Sequence, residues 1–239
     1  MKRSLAVLLL LLILSNTSFS IFKEDERSIY TVISSTAYTA GKKGIYLGPE
    51  GIAFGLSEHT QTNLWGFLGY GDKQDISMGI GIGLKQGLAV ESDSMPAISF
   101  DMSYHTIVGP DKVTLLPPLP QPYNIGSFIN AYTFGISISK KMDEKFFLHS
   151  AIKLYDYDLS DGSKLDFHLI SVSAENRFNE WMRNFTEINF DAVNSVLNGG
   201  IKLDLAPTDT IRVSLGYMAG TGQNGLFASQ MIIGAALQF

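Results

Sequence analysis

Cysteine is absent from all 239 residues. That excludes disulfides, thiolate nucleophiles and cysteine-ligated metals, so an exported fold of this chain must be held by burial and hydrogen bonding. Charge is also scarce. Charged residues make up 17% of the chain, and the balance is acidic, 18 Lys and Arg against 23 Asp and Glu, for a formal net charge of -5. Two of those cations, Lys2 and Arg3, sit at the extreme N-terminus, so the remainder is more acidic still and a nucleic-acid partner is not expected. Beyond residue 14 no long apolar run exists, and nothing reads as a membrane-spanning helix. There is no glycine-rich phosphate loop ending in Lys and Ser or Thr and no histidine pair at metal-ligand spacing, so neither a cofactor nor a metal is expected.

What is present begins with a leader. Lys2 and Arg3 precede an uninterrupted apolar run over residues 5–14 and a small polar stretch over residues 15–20, with Ser18 and Ser20 placed as a cleavage pair. These are the three parts of an export signal, and the run is too short to span a bilayer. The expected division is a signal peptide at residues 1–20 and a single unit at residues 21–239, starting near Ile21. No cysteine follows the cleavage site, so no lipid anchor is expected there.

In the rest of the chain the apolar 45%, the 23 glycines and the 11% aromatics are spread in alternation. Ile76, Met78, Ile80, Ile82 and Leu84 alternate with Ser77, Gly79, Gly81, Gly83 and Lys85, a side-chain period of two that belongs to a strand with one apolar face. The same pattern recurs at residues 97–106, 131–139, 146–157, 197–206 and 211–218. Residues 29–39 read as a first strand. Residues 45–56 read as a second, interrupted at Gly48, Pro49 and Glu50 by a bulge or a division into two shorter strands. Residues 60–70 follow, residues 165–175 alternate more weakly, and residues 176–194 are the least defined, with 181–190 readable as a short strand or as part of a long loop. The last segment, residues 229–239, sets Met231, Ile233, Ala235, Leu237 and Phe239 against a mixed face.

All segments together make twelve strands; leaving out the first and the ninth makes ten. Both are even, as a closed antiparallel transmembrane β-barrel with both termini on one side requires. With twelve, the short turns at residues 57–59, 92–94, 142–144 and 207–209 fall on one side. The opposite side carries the glycine-rich residues 220–225 and the long connection at residues 108–126. That connection holds five prolines, which cannot sit inside a central ladder, and it is a candidate functional loop. A soluble sandwich would need the apolar faces to find each other and bury fully, whereas lipid satisfies them directly and closure satisfies the backbone.

The leader, the alternating strands and the terminal Phe239 together resemble bacterial outer-membrane β-barrel proteins in general. That resemblance implies an outer-membrane location, outer-membrane lipid around the wall, and Phe239 as the signal read by the barrel-assembly machinery. With the apolar faces toward lipid, Lys85, Asp101, His105, His149, Lys153, Lys202, Asp204 and Arg212 point inward as candidate lumen-lining residues. The mixed signs suit ion pairing, bound water or a lining of modest selectivity. Gly79, Gly81 and Gly83 form a bare face suited to bulky inner neighbours. Tyr70, Tyr104, Tyr132, Tyr155, Tyr157 and Tyr217, with Trp65 and Trp181, are candidates for interfacial girdles. His149 and Ser150 are adjacent and so face opposite ways, which makes them poor partners for hydrolysis. No catalytic residue is assigned. The leading functional reading is a narrow porin-like channel or small-solute binding and transport protein, with a small solute as partner. The alternatives are a structural or adhesive envelope barrel acting through its outer loops and, less favoured, a membrane-embedded hydrolase.

Overall fold

In a computed structural model the chain forms one strongly curled, all-antiparallel sheet. The structure describes residues 32, 34–48, 51–70, 76–108, 128–159, 162–208, 211–221 and 227–237. The expected export signal, the proline-rich connection beyond Val108, residues 222–225 of the glycine-rich stretch, and Phe239 lie outside the described residues.

The strands are β1 (Ile45–Gly48), β2 (Gly51–Gly55), β3 (Thr60–Tyr70), β4 (Ile76–Ala89), β5 (Ala97–Val108), β6 (Phe128–Lys141), β7 (Phe146–Leu159), β8 (Lys164–Asn179), β9 (Met182–Asp191), β10 (Val196–Leu205), β11 (Ile211–Thr221) and β12 (Phe227–Leu237). Each pairs with its chain neighbours, as short connections dictate. Ladders from β3 to β12 run nearly the full strand length. β6 and β7, for example, stay in register from Phe128↔Leu159 to Lys141↔Phe147.

The expected evenly closed cylinder of twelve or ten strands is corrected here. Eleven of the twelve expected segments enter the sheet, which is curled but open, with edges 9 Å apart. Only the short hairpin β1–β2 reaches across the opening, pairing over a few residues on each side. β12 meets β1 over three pairs, Ile45↔Leu237 to Leu47↔Ala235. β3 meets β2 over four, Ile52↔Leu64 to Gly55↔Gln61. Among the described residues, 66–70 of β3 and 227–234 of β12 have no ladder neighbour on the seam side.

The physical reasons are local. The expected second segment divides into β1 and β2 at Pro49 and Glu50, because proline cannot donate to a ladder. Gly51 then takes a φ of 91°, and a Cβ there would stand 2.2 Å from the Leu64 carbonyl oxygen, so only glycine permits this approach of β2 to β3. The expected ten-strand alternative fails because β9 is a regular strand, paired with β8 and β10. Of the expected first strand, residues 29–39, the described part, residues 32 and 34–39, is not in the wall. Its described residues lie inside the curl, and both of their faces are covered.

Burial follows the period of two with little interruption. From Lys164 to Glu175, β8 switches between exposed and buried at nearly every residue, and β9 does the same from Arg183 to Asp191. The outside is a belt of exposed aliphatic and aromatic side chains, among them Ile82, Phe134, Ile136, Ile152, Val172 and Ile201. A contiguous apolar surface of this extent does not face water in a monomeric soluble protein; it is the exterior of a membrane-spanning sheet. Tyr104 and Tyr132 stand on this outer face with ring centroids 5.0 Å apart, and Tyr217 is exposed with them. Tyr155 and Tyr157 are buried inside, which removes them from any girdle.

Candidate functional site: the lumen and its internal segment

The inner face has two zones. Tyr155 and Tyr157 of β7, Phe167 and Leu169 of β8, Phe185 of β9, Val196 of β10 and Met218 of β11 form an apolar cluster with Ala131 of β6 and Val32, and Trp65 and Leu165 pack against it. Toward the short turns the lining is polar. Lys85, Asp101, His149, Lys153, Lys202, Asp204 and Arg212 are all buried on the inner side there, and His105 sits on the same side nearer the apolar zone.

Most of these charges are paired. Lys153 Nζ lies 3.3 Å from Asp101 Oδ1. Because Asp101 is on β5 and Lys153 on β7, the pair must cross β6, and it does so over Gly135, where a Cβ would stand 2.8 Å from Asp101 Oδ1. Lys202 Nζ is 3.4 Å from Asp204 Oδ1 and 4.1 Å from the centroid of the Phe185 ring, an ion pair backed by a cation–π contact. Arg212 bonds the Thr208 carbonyl at 2.5 Å, so it braces a turn. His105 occupies the space left by Gly81, where a Cβ would lie 2.2 Å from its Nδ1. Its Nε2 is 2.9 Å from Ser103 Oγ, and Trp65 meets its ring edge-on at 5.0 Å.

Sequence reasoning missed a second group, Glu175, Arg183, Glu187 and Asn189, all fully buried. Arg183 joins Glu175 at 3.5 Å and Asp204 at 3.4 Å, which ties β8, β9 and β10 together. The available signal was the alternation in Arg183, Phe185, Glu187 and Asn189. Phe185 points inward while Asn184 and Thr186 point out, so polarity does not sort the two faces.

His149 does meet a serine, but not Ser150. Its Nδ1 is 2.9 Å from Ser139 Oγ across the β6–β7 ladder, and its Nε2 is 3.5 Å from Glu175 Oε2. The row Ser139, His149, Glu175 has the residue types of a hydrolytic triad. Two observations make it a brace instead. Ser139 Oγ accepts the Ala37 N–H at 2.8 Å, and Glu175 also faces Arg177 and Arg183. A nucleophile needs an open side for substrate, and here the internal segment occupies it. Among the described residues no group of three or more potential metal ligands occurs.

The internal segment is the main structural finding. Val32 packs in the apolar cluster, and residues 34–40 run from there down the polar zone toward the short turns. The Glu187 carboxylate accepts the Val32 N–H at 2.8 Å. Ser34 Oγ lies 2.6 Å from Ser171 Oγ, 3.1 Å from Glu187 Oε1 and 3.2 Å from Asn189 Oδ1. Ser35 Oγ donates to Asp101 at 3.2 Å and is 3.3 Å from Ser137 Oγ. Near the short turns, Lys85 Nζ donates to the Tyr38 carbonyl at 2.6 Å, Tyr38 donates its hydroxyl to Glu91 at 2.9 Å, and Gln61 accepts the Ala40 N–H at 2.8 Å. Six strands, β3, β4, β5, β6, β8 and β9, and Glu91 of the β4–β5 turn thus hold one segment.

No family model matches the chain, and no curated protein sequence matches it. Among solved structures the chain resembles bacterial outer-membrane porins at a distance. For the NanC porin the TM-score is 0.47 at 10% identity, over 82% of this chain and 97% of that one. A KdgM porin in complex with disordered oligogalacturonate gives 0.43 at 10% identity, over 82% and 96%. A mutant of the Rh. blastica porin gives 0.36 at 13% identity, over 82% and 55%.

Proposed function

We propose that this chain is a bacterial outer-membrane protein that passes a small polar solute along the inside of its curled sheet. The observation that carries this reading is the sorting of side chains by face. Among the described residues five cations, Lys85, Lys153, Arg183, Lys202 and Arg212, and five carboxylates, Asp101, Glu175, Glu187, Asp191 and Asp204, are buried on the inside, while the exterior is apolar. A sheet that needed only to be filled would use apolar side chains, because burying ion pairs gains little stability over hydrophobic packing. Charges of both signs along one interior suit a hydrated path for a polar solute.

In this reading Lys85, Asp101, His105, His149, Lys153, Lys202, Asp204 and Arg212 line the path. Outer-membrane lipid surrounds the belt, and the assembly machinery reads the terminal Phe239. The equal numbers of buried charges lead to weak discrimination between cations and anions. Planar-bilayer recording of refolded protein tests the proposal, on the intact chain and on a Ser34→Ala, Glu187→Gln variant whose internal segment is less firmly held. Conductance with a cation-to-anion permeability ratio near unity is expected. Silence from both proteins, with no solute entry into liposomes, overturns it.

A further inference from the structure

The internal segment is bound in an unusual way for a part of the core. Its backbone N–H groups at Val32, Ala37 and Ala40 go to the side chains of Glu187, Ser139 and Gln61. Among its described residues only Ser35 forms a strand-like bridge. Its buried apolar groups are small: Val32 packs in the inner apolar cluster, Ala40 packs with Tyr46 and Ala53, and Ala37 is the third, while the side chains around Ser34 and Ser35 are hydroxyl, amide and carboxylate. Water can replace each of these hydrogen bonds at little net cost, whereas it cannot replace packed apolar surface. At its lower end the segment joins the wall through a turn with left-handed residues, Gly41 at φ 67° and Lys43 at φ 68°, and then through the shortest strand pairing of the sheet.

We infer that residues 32–40 are a displaceable plug, an internal ligand that occupies the solute path and opens it by leaving. This rests on the solute-passing reading above. The segment offers amide N–H and hydroxyl donors to a row of acceptors formed by Glu187, Asn189, Ser171, Asp101 and Ser139. That row is the site the segment vacates, and its chemistry suits an extended ligand rich in such donors.

The absence of cysteine makes the test clean. Ser35 and Ser137 approach to 3.3 Å between hydroxyl oxygens, so a Ser35→Cys, Ser137→Cys chain carries one disulfide that locks the segment to β6. Conductance is recorded oxidised and after reduction in the same bilayer, with heat-modified gel mobility as the check on folding. The proposal expects at least a tenfold rise in open time on reduction. It also expects a single Ser35→Cys variant in liposomes to react with a charged, water-soluble thiol reagent. Equal conductance in the two redox states overturns the plug while leaving the channel intact. An unreactive Ser35→Cys thiol also overturns it, and this reading holds if the double variant does not fold. A reactive thiol together with silence in both redox states removes the gate, and silence of the anchor-weakened variant as well removes the channel.

Discussion

Asp101 and Lys153 give the sharpest test of how wet the interior is. At their 3.3 Å separation the Coulomb attraction is about 5 kcal/mol at an effective dielectric of about 20, and about 1 kcal/mol in bulk water. Both side chains are nearly inaccessible, and Ser35 of the internal segment covers Asp101. With the segment in place, Asp101→Asn leaves an ammonium buried and Lys153→Met leaves a carboxylate buried. Each single change is expected to cost about 3–5 kcal/mol, and the double change little more than either alone. Urea titration of the folded protein in detergent micelles, read by the mobility of unheated samples, gives the cycle. Repeating it with Ser34→Ala and Glu187→Gln in the background is expected to bring the coupling down toward the aqueous value. Single changes below about 1 kcal/mol each in the parent chain would refute the dry, segment-covered pair.

Other changes probe the wall and its packing. Gly81→Ala places a Cβ 2.2 Å from His105 Nδ1, and the ring must swing away from Trp65. A loss of about 1–3 kcal/mol is expected, with a shift in tryptophan emission, which comes from only two residues of that type. Ile136→Lys on the outer face is expected to cost about 2–4 kcal/mol if the residue is near the bilayer midplane. Ser137→Ala, one position along and facing inward, is expected to cost no more than about 1.5 kcal/mol. Equal effects at 136 and 137 would contradict the two-sided wall. Ser139→Ala is expected to leave membrane insertion unchanged and to increase reagent access to a cysteine at position 35, since it removes the acceptor of the Ala37 N–H.

The wall was largely legible because each of its faces has one solvent. Ile76 to Lys85 alternates without exception, and the bare Gly81 marks the place where a ring from β5 sits. The internal segment was not legible for the opposite reason. Val32, Ser34, Ser35, Thr36 and Ala37 are covered on every side, so neither face is selected for apolarity. Its β-favouring residues then read as one more strand. The seam was half visible: Pro49 and Glu50 marked the break, but pattern alone does not measure how short the two halves are. Glu175 and Arg183 were hidden because one aromatic, Phe185, turns inward among polar residues of β9 and blurs the contrast between faces. Loop sidedness was readable from turn chemistry, whereas the route of the N-terminal residues depends on long-range hydrogen bonds such as Ser34 to Asn189, which leave no mark in local sequence.

The central claim is that one face of every long strand meets lipid and the other lines the interior, which is polar toward the short turns. A nitroxide scan along β6 tests it directly, because any introduced cysteine is unique. In reconstituted vesicles, spin labels at residues 132, 134, 136 and 138 should collide strongly with oxygen, which partitions into lipid. Labels at 131, 133, 137 and 139 should collide weakly, giving a period of two across the strand. A flat profile, or one with its maxima at the inner positions, would contradict the account.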